Sequence, residues 1–144
     1  MNKIFNTSDI DDYRKIFDLL GLKETKRKSI PLSHMSLVTY EKEKDVANYE
    51  ALKDRYMPRS TIPFFFVIIL VIIAIALATA YLIINFTTKG EVKLVYFFSL
   101  MMPTSLLTLL ATGISFYRYF VELKNVERRA AVLLLEKEVN KNEK

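Results

Sequence analysis

Residues with catalytic or metal-binding potential are few and scattered in this chain. His34 is the only histidine, and there is no cysteine. A metal centre or an activated nucleophile needs two or more such groups close together, so His34 alone predicts an ordinary loop residue. The carboxylates Glu41, Glu43 and Glu50 are typical of surface charges on a helix. We therefore expect no enzymatic activity, no cofactor and no metal.

Nothing in the sequence resembles a phosphate-binding loop or a nucleic-acid-binding motif. Only Gly21, Gly90 and Gly113 are glycines, and they do not cluster. A basic stretch at residues 23–28 lies among acidic residues, which favours a solvated loop over nucleic-acid binding. Contact of this stretch with anionic lipid headgroups is the alternative interpretation. No nucleic acid and no small-molecule substrate is expected.

Hydroxyl residues form the most ordered polar pattern, and they lie inside a long apolar segment. At 100° per residue they fall within an arc of about 100° on a helix. The members of this hydroxyl stripe are Thr104, Ser105, Thr108, Thr112 and Ser115. Three interpretations are open: packing against a neighbouring helix with the hydroxyls bonded to their own backbone, contact with another membrane protein, or lining of an oligomeric pore.

The elements that carry this stripe are two uncharged segments, residues 64–86 and 94–117. Each exceeds the 18 or so apolar residues that indicate a transmembrane helix. We predict spans over about 63–87 and 94–117, and the short link between them predicts an antiparallel hairpin. Small residues in the first span suit close helix packing. These are Ala74, Ala76, Ala78 and Ala80.

Charge placement predicts the topology of this hairpin. Lysines and arginines flank both outer ends of the spans, whereas the connecting turn holds only Lys89 and Lys93. The positive-inside rule then predicts a multi-pass protein with both termini in the cytoplasm. The membrane we expect is the plasma membrane. The predicted organisation is an N-terminal cytoplasmic segment (1–62), the hairpin (63–118) and a C-terminal cytoplasmic helix and tail (119–144).

The N-terminal segment predicts two short amphipathic helices, at about 9–20 and 41–57. Between them, residues 29–40 predict a loop, or a loop with a short extended piece. Gly21 is placed to end the first helix. The apolar face of that helix packs on the rest of the segment, docks on a partner or lies on the membrane surface. Its acidic polar face favours the protein partner over an anionic membrane. The residues of this face are Ile10, Tyr13, Phe17 and Leu20.

The C-terminal tail predicts a continuation of the second membrane helix as far as Asn140. Six consecutive apolar residues, 130–135, surround a helix on all sides and therefore need cover. The sources of cover are the N-terminal segment, another copy of this chain or a different protein. We expect the cover to include another chain, with Leu133 and Leu134 as contacts.

These patterns predict an all-α integral membrane protein: a two-span antiparallel hairpin with amphipathic cytoplasmic helices before it and a helical cytoplasmic extension after it. Its expected partners are the lipid bilayer and other membrane subunits, or further copies of itself. The function we expect is a non-catalytic accessory, assembly or scaffolding subunit of a larger membrane protein complex. The alternatives are a pore-forming homo-oligomer, in the manner of holins or two-span membrane effectors, and a membrane-anchored adaptor that recruits a soluble partner.

Overall fold

The structure is a computed structural model, and it describes residues 1–88 and 94–142. The described chain is mostly helical but includes a three-stranded antiparallel sheet, so the all-α prediction is wrong in this respect. In chain order the elements are β1 (Asn2–Asn6), α1 (Ile10–Leu19), β2 (Leu22–Ser29), β3 (Met35–Lys42), α2 (Tyr49–Tyr56), α3 (Phe64–Thr87), α4 (Leu94–Ala130) and α5 (Val132–Asn142). A short 3-10 turn, Thr7–Asp9, leads into α1.

The chain divides into two compact units, and the division joins its two tails. Unit 1 contains Met1–Ile62 together with the residues from Arg118 onward. Unit 2 contains Pro63–Tyr117. The two tails, which we predicted as separate segments, therefore share one fold. Together they are long enough to bury a small core that neither tail could form alone.

Strand β3 is the centre of the sheet, with β1 and β2 antiparallel on either side. Its side chains alternate, so that Ser36, Val38 and Tyr40 are buried while Leu37 and Thr39 are only partly covered. This alternation is typical of a half-buried strand. Strand β3 occupies the second half of the segment 29–40, where the sequence predicts a loop or a loop with a short extended piece, and it continues to Lys42.

Strand β2 has a basic, polar sequence that predicts a solvated loop. In the structure Leu22 is the only buried residue of this strand. Its backbone is nevertheless paired with β3 from Leu22 to Ser29, with a shift in register between Glu24 and Lys26. The pairing satisfies backbone groups whatever the side chains are. Tertiary context thus decides this strand against its own weak pattern.

Helix α1 lies within the predicted range 9–20, and its apolar face enters the core of unit 1. Ile10, Tyr13, Ile16 and Phe17 are buried at the spacing expected for one helix face. The helix ends just before Gly21, whose φ of 71° allows the backbone to turn into β2. Full burial contributes roughly 1.5–3 kcal/mol for each large apolar side chain.

Helix α2 begins at Tyr49 rather than at residue 41, so the start of the predicted 41–57 helix is wrong. Glu41 and Lys42 complete β3, where backbone pairing with β2 holds them in the sheet. The helix starts after Asn48, which adopts a left-handed φ of 57°. A single residue in this conformation interrupts helical geometry, and asparagine tolerates it.

Helix α4 continues past the predicted span as expected, but it ends at Ala130 and α5 starts at Val132. The break at Ala131 separates the predicted continuous helix into two. Helix α5 packs against α1 and α2. Leu135 and Val139 thereby join the buried core of unit 1.

Unit 2 consists of α3 and the part of α4 up to Tyr117, and both helices are long and apolar enough to cross a membrane. Few of the side chains in their apolar stretches are buried within the protein, unlike those of a soluble core helix. The rings of Tyr81 and Phe97 meet edge to face, with centroids 5.9 Å apart, and link the two helices. Most of the predicted connecting turn, including Lys89 and Lys93, lies outside the described residues.

Candidate interaction surfaces

The side chains with catalytic potential do not come together. His34 is an exposed residue in the β2–β3 loop, and its carbonyl oxygen accepts a hydrogen bond from the N–H of Thr7 at 2.9 Å. Glu43 and Glu50 form surface ion pairs with Lys23 and Lys53, each at 2.9 Å. Over residues 1–88 and 94–142, no three histidine, aspartate or glutamate side chains group as metal ligands.

The apolar face of α1 is covered by the chain itself. The residues predicted as partner contacts on this helix lie in the core with the sheet and α5, where each is at most 3% exposed. Packing on the rest of the N-terminal segment is the other interpretation of this face, and the structure places the face against that segment and also against α5. The buried residues are Ile10, Tyr13, Phe17 and Leu20.

The apolar run at 130–135 divides into a covered part and an exposed part. Leu135 is completely buried, and Ala131 and Val132 pack against the core. Leu133 and Leu134 remain 71% and 56% exposed. Cover from the N-terminal segment was one expectation for this run, and it accounts for Leu135 but not for its two neighbours.

A second apolar surface lies on α4 beyond the predicted span. Tyr119, Leu123 and Val126 recur with spacings of four and three residues and are all exposed. Val121 and Asn125 lie on the opposite side of this helix and are buried. The C-terminal part of α4 therefore packs through one face and exposes the other. We call the exposed set, Tyr119, Leu123, Val126, Leu133 and Leu134, the collar surface.

Each hydroxyl of the stripe is bonded to its own helix. The five side chains donate to the carbonyl oxygen four residues earlier, at 2.6–3.0 Å. Ser105, Thr108 and Thr112 are exposed, whereas Thr104 and Ser115 are half-buried. Because the donors are satisfied within α4, the stripe needs no partner to avoid an unsatisfied hydroxyl in lipid.

The alanines of the first span do not act as one surface. Ala74 is buried, Ala78 and Ala80 are half-buried, and Ala76 is exposed. On α4 the buried small residue is Ala111, which sequence reasoning missed. It follows the half-buried Leu107 by four residues on the same helix face, and this spacing was the signal available.

A charged depression of about 370 Å³ lies between α1 and β2. Arg27 dominates it: its Nε and Nη2 donate to the two carboxylate oxygens of Glu24 at 2.8 and 2.9 Å. The hydrogen bond from Arg27 lowers the pKa of Glu24 and the same bond raises the pKa of Arg27. Asp11 pairs with Arg27 as well, at 3.5 Å. These charges stabilise one another within the fold, so the basic stretch at 23–28 is partly neutralised.

Sequence reasoning also missed Asn125, whose buried side chain bonds the backbone of Arg59. Its signal is a polar residue opposite the apolar stripe of α4.

No protein-family model matches this chain, and no curated protein or solved structure matches it either.

Proposed function

We propose that this protein is a non-catalytic accessory or scaffolding subunit of a larger membrane protein complex. The single observation that carries the proposal is the collar surface, five large apolar side chains that stay exposed outside the predicted spans. Exposed apolar groups of this kind, rimmed by charged residues, are typical of protein interaction sites. The core of unit 1 is closed without them, so they are not needed for folding.

In this proposal α3 and α4 insert as a hairpin and both termini lie in the cytoplasm, at the plasma membrane. Two features support the topology. Both tails belong to unit 1, which is consistent with two spans that return the chain to its starting side. Basic residues flank the outer ends of the hairpin, as the positive-inside rule requires of a cytoplasmic side. They are Lys44, Lys53, Arg55, Arg59, Arg118, Lys124, Arg128, Arg129 and Lys137.

A scaffolding role suits the composition of the spans better than transport does. Residues 64–86 and 94–117 include no aspartate, glutamate, lysine, arginine or histidine. Ion-coupled transporters and proton relays place such groups inside the membrane. Outward-facing apolar side chains on both helices instead offer surface to lipid or to neighbouring spans.

The test compares two double variants of the tagged full chain after affinity purification in mild detergent and native mass spectrometry. The first, Leu133→Asp with Leu134→Asp, places two charges in the collar surface. The matched control, Asn140→Asp with Asn142→Asp, adds the same charge at exposed positions of α5. We expect the wild type and the control to retain other membrane proteins at fixed stoichiometry, and the collar variant to lose them.

Retention of the same partners by the collar variant would contradict the proposal, as would a wild type that purifies alone. Recovery of only a soluble protein would instead favour the adaptor alternative. Unfolding temperatures of the two variants, measured in the same detergent, show whether unit 1 remains folded. We expect both to match the wild type, since all four altered side chains are exposed.

A pore-forming homo-oligomer is a second candidate, favoured by the exposed hydroxyls of Ser105, Thr108 and Thr112 on one side of α4. It predicts that the wild type purifies as a homo-oligomer and releases dye from liposomes. Thr108→Leu with Thr112→Leu then abolishes the release, while Leu106→Val on an exposed lipid-type position does not. Intact liposomes at the highest wild-type loading would exclude this candidate.

A further inference from the structure

Three cations from distant parts of the sequence converge in unit 1. Hydrogen bonds from α4 and from β1 fix the segment that follows α2. Asn125 binds the backbone N–H and carbonyl of Arg59, at 2.9 Å each. Arg128 lies one helical turn beyond Asn125 on α4, and it is therefore held close to Arg59.

The first strand approaches the same segment. The N–H of Ile4 donates to Oγ of Ser60 at 2.9 Å, and its carbonyl oxygen accepts from the N–H of Thr61 at 3.0 Å. Lys3 precedes Ile4, and Arg59 precedes Ser60. The two sets of bonds thus bring Lys3, Arg59 and Arg128 to one place; we call these three the cation cluster.

No carboxylate within the described ranges, 1–88 and 94–142, pairs with a member of this cluster. Lys3, Arg59 and Arg128 all lack an aspartate or glutamate oxygen within 4.0 Å there. Nη1 of Arg128 is buried, and no atom of the residues that the structure describes accepts a hydrogen bond from it. The neighbouring Glu127 pairs with Lys124 instead, at 2.8 Å. A buried guanidinium donor without an acceptor is costly, and natural proteins rarely leave one unmatched.

The protonation equilibria agree with a crowded positive site. Burial lowers the pKa of Lys3, and the positive charges of Arg128, Lys53 and Arg59 lower it further. Burial also lowers the pKa of Arg128; the charge of Arg59 adds to this effect, and Glu127 opposes it. Lys53 differs from the other three because it pairs with Glu50 at 2.9 Å. The site therefore favours any ligand that brings negative charge to it.

We propose that Lys3, Arg59 and Arg128 bind a phosphate group, supplied by the headgroup of an anionic phospholipid. Guanidinium groups match phosphate oxygens through paired N–H donors, and a lysine adds a third contact. Arg59 lies five residues before the start of α3 at Phe64. Five residues extend at most about 18 Å, which keeps Arg59 near the membrane surface if α3 spans the bilayer.

The binding of phosphate does not depend on the collar surface or on any protein partner, so it stands or falls separately from the proposed subunit function. Its lipid source does rest on insertion of α3. Inorganic phosphate carries the same chemistry without a membrane. The experiment therefore offers both probes to the full-length protein.

Thermal unfolding is followed in four settings, arranged as two pairs. Nanodiscs of phosphatidylcholine alone are compared with nanodiscs that include phosphatidylglycerol, and detergent-solubilised protein is compared in potassium phosphate and in potassium chloride of equal ionic strength. The test variant carries Lys3→Gln, Arg59→Gln and Arg128→Gln. The matched control carries Lys15→Gln, Lys26→Gln and Lys28→Gln, three exposed lysines with the same total charge.

We expect phosphatidylglycerol to raise the unfolding temperature of the wild type and the control, and to leave that of the test variant unchanged. Native mass spectrometry should show retained phosphatidylglycerol on the first two, with at least about tenfold less on the test variant after loss of three charge-assisted contacts. Stabilisation by the lipid alone assigns the source to the headgroup. Stabilisation by both probes supports the phosphate chemistry and the headgroup source, whereas stabilisation by inorganic phosphate alone overturns the headgroup source in favour of a soluble phosphate.

Equal lipid retention by the test variant and the control would overturn the proposal, because it would indicate general attraction between charged surfaces. No stabilisation by either probe would overturn it too. Loss of like-charge repulsion should keep the test variant folded. If it does not fold, Arg59→Gln alone is the second variant, since Asn125 binds the backbone of Arg59 and not its side chain. Unchanged phosphate stabilisation in that variant would likewise exclude Arg59 from the site.

Discussion

Asn125 and Arg59, 66 residues apart in sequence, are joined by two hydrogen bonds. Oδ1 of Asn125 accepts from the N–H of Arg59, and Nδ2 donates to its carbonyl oxygen, both at 2.9 Å. The asparagine side chain is 4% exposed, so water does not replace these bonds readily. This pair connects the segment before α3 to α4, and it fixes Arg59 within the cation cluster.

Asn125→Ala should therefore destabilise unit 1. Two backbone groups of Arg59 lose their partners, which costs about 2–3 kcal/mol at about 1–1.5 kcal/mol for each bond. The measurement is the unfolding temperature of the full chain in detergent. Asn140→Ala, an exposed asparagine on α5, serves as the control and should change nothing. Equal melting of the two variants would show that the Asn125 bonds do not contribute to stability.

Gly21 gives a second prediction, because its backbone has a left-handed φ of 71°. A methyl group here would overlap the carbonyl oxygen of Lys44 and press on the side chain of Val46. The carbonyl oxygen of Gly21 also accepts from the N–H groups of Glu43 and Lys44 at 2.8 and 3.1 Å, so the segment cannot simply move away. Gly21→Ala should cost at least about 2 kcal/mol, from backbone strain and overpacking together.

The control for Gly21→Ala is Gly113→Ala. No atom approaches a methyl group at Gly113 within 4 Å, and the residue lies inside α4. Alanine in a helix is favoured over glycine by roughly 0.5–1 kcal/mol, so this variant should unfold at the same temperature as the wild type or higher. Thermal unfolding of both variants distinguishes backbone conformation from a general intolerance of alanine.

Tyr40 gives a prediction on pH dependence. Its ring stacks on Phe17 with centroids 3.9 Å apart, and its hydroxyl is buried without a hydrogen-bond partner among the described residues. Burial, followed by the negative charge of Glu24, raises the pKa of Tyr40 above its ordinary value of 10.0. The folded state therefore keeps this proton at a pH where the unfolded state loses it. The contribution of protonated Tyr40 to the free energy of unfolding is complete below pH 10, and it decreases as the pH rises above that value.

Tyr40→Phe should accordingly remove part of the alkaline destabilisation, by up to about 1.4 kcal/mol at one pH unit above 10. At pH 7 the variant should be as stable as the wild type or slightly more stable, because it removes an unsatisfied buried hydroxyl. Burial also raises the pKa of Tyr13 and Tyr56, so some alkaline loss remains. Unfolding curves from pH 7 to 11 check this, with the exposed Tyr119→Phe as control. Identical alkaline curves for both variants would exclude Tyr40 as a source.

Elements with a strong local signal could be predicted from the sequence. Helix α1 combines four apolar residues at helical spacing with Gly21 at its end, and both features follow from short-range geometry. The long uncharged segments predict helices for the same reason, and α3 and α4 extend through them. Helix α2 is intermediate: its end near Pro58 was signalled, while its start depends on how far β3 extends.

The sheet and the cation cluster could not be predicted, because long-range pairing determines both. Strand β2 exposes most of its side chains and exists through its backbone bonds to β3. Lys3, Arg59 and Arg128 are each ordinary surface-type residues in the sequence, and only the bonds of Ile4 and Asn125 bring them together. The basic stretch at 23–28 is visible in the sequence, but its charge is partly neutralised, because Arg27 pairs with Glu24. Local charge density is thus a poor guide to a site assembled from three elements.

Leu133 and Leu135, which follow the break at Ala131, should respond differently to substitution. Leu135 is fully buried against α1 and α2, while Leu133 is 71% exposed, although the two are separated by a single residue. Leu135→Ala should cost about 2–5 kcal/mol, the range for large-to-small changes in a core, whereas Leu133→Ala should change stability by less than about 0.5 kcal/mol. Chemical denaturation of the full chain in detergent measures both.

This pair also separates folding from association on the same helix. If the collar surface serves a partner, Leu133→Ala weakens co-purification while leaving the denaturation curve of the isolated protein unchanged. Leu135→Ala should shift the denaturation curve but leave co-purification unchanged at temperatures where unit 1 stays folded. The reason is that its side chain faces the core and not the collar surface. Equal destabilisation by the two variants would mean that α5 docks through a different face. The exposed leucines would then belong to the core, and the collar surface would lose its two C-terminal members.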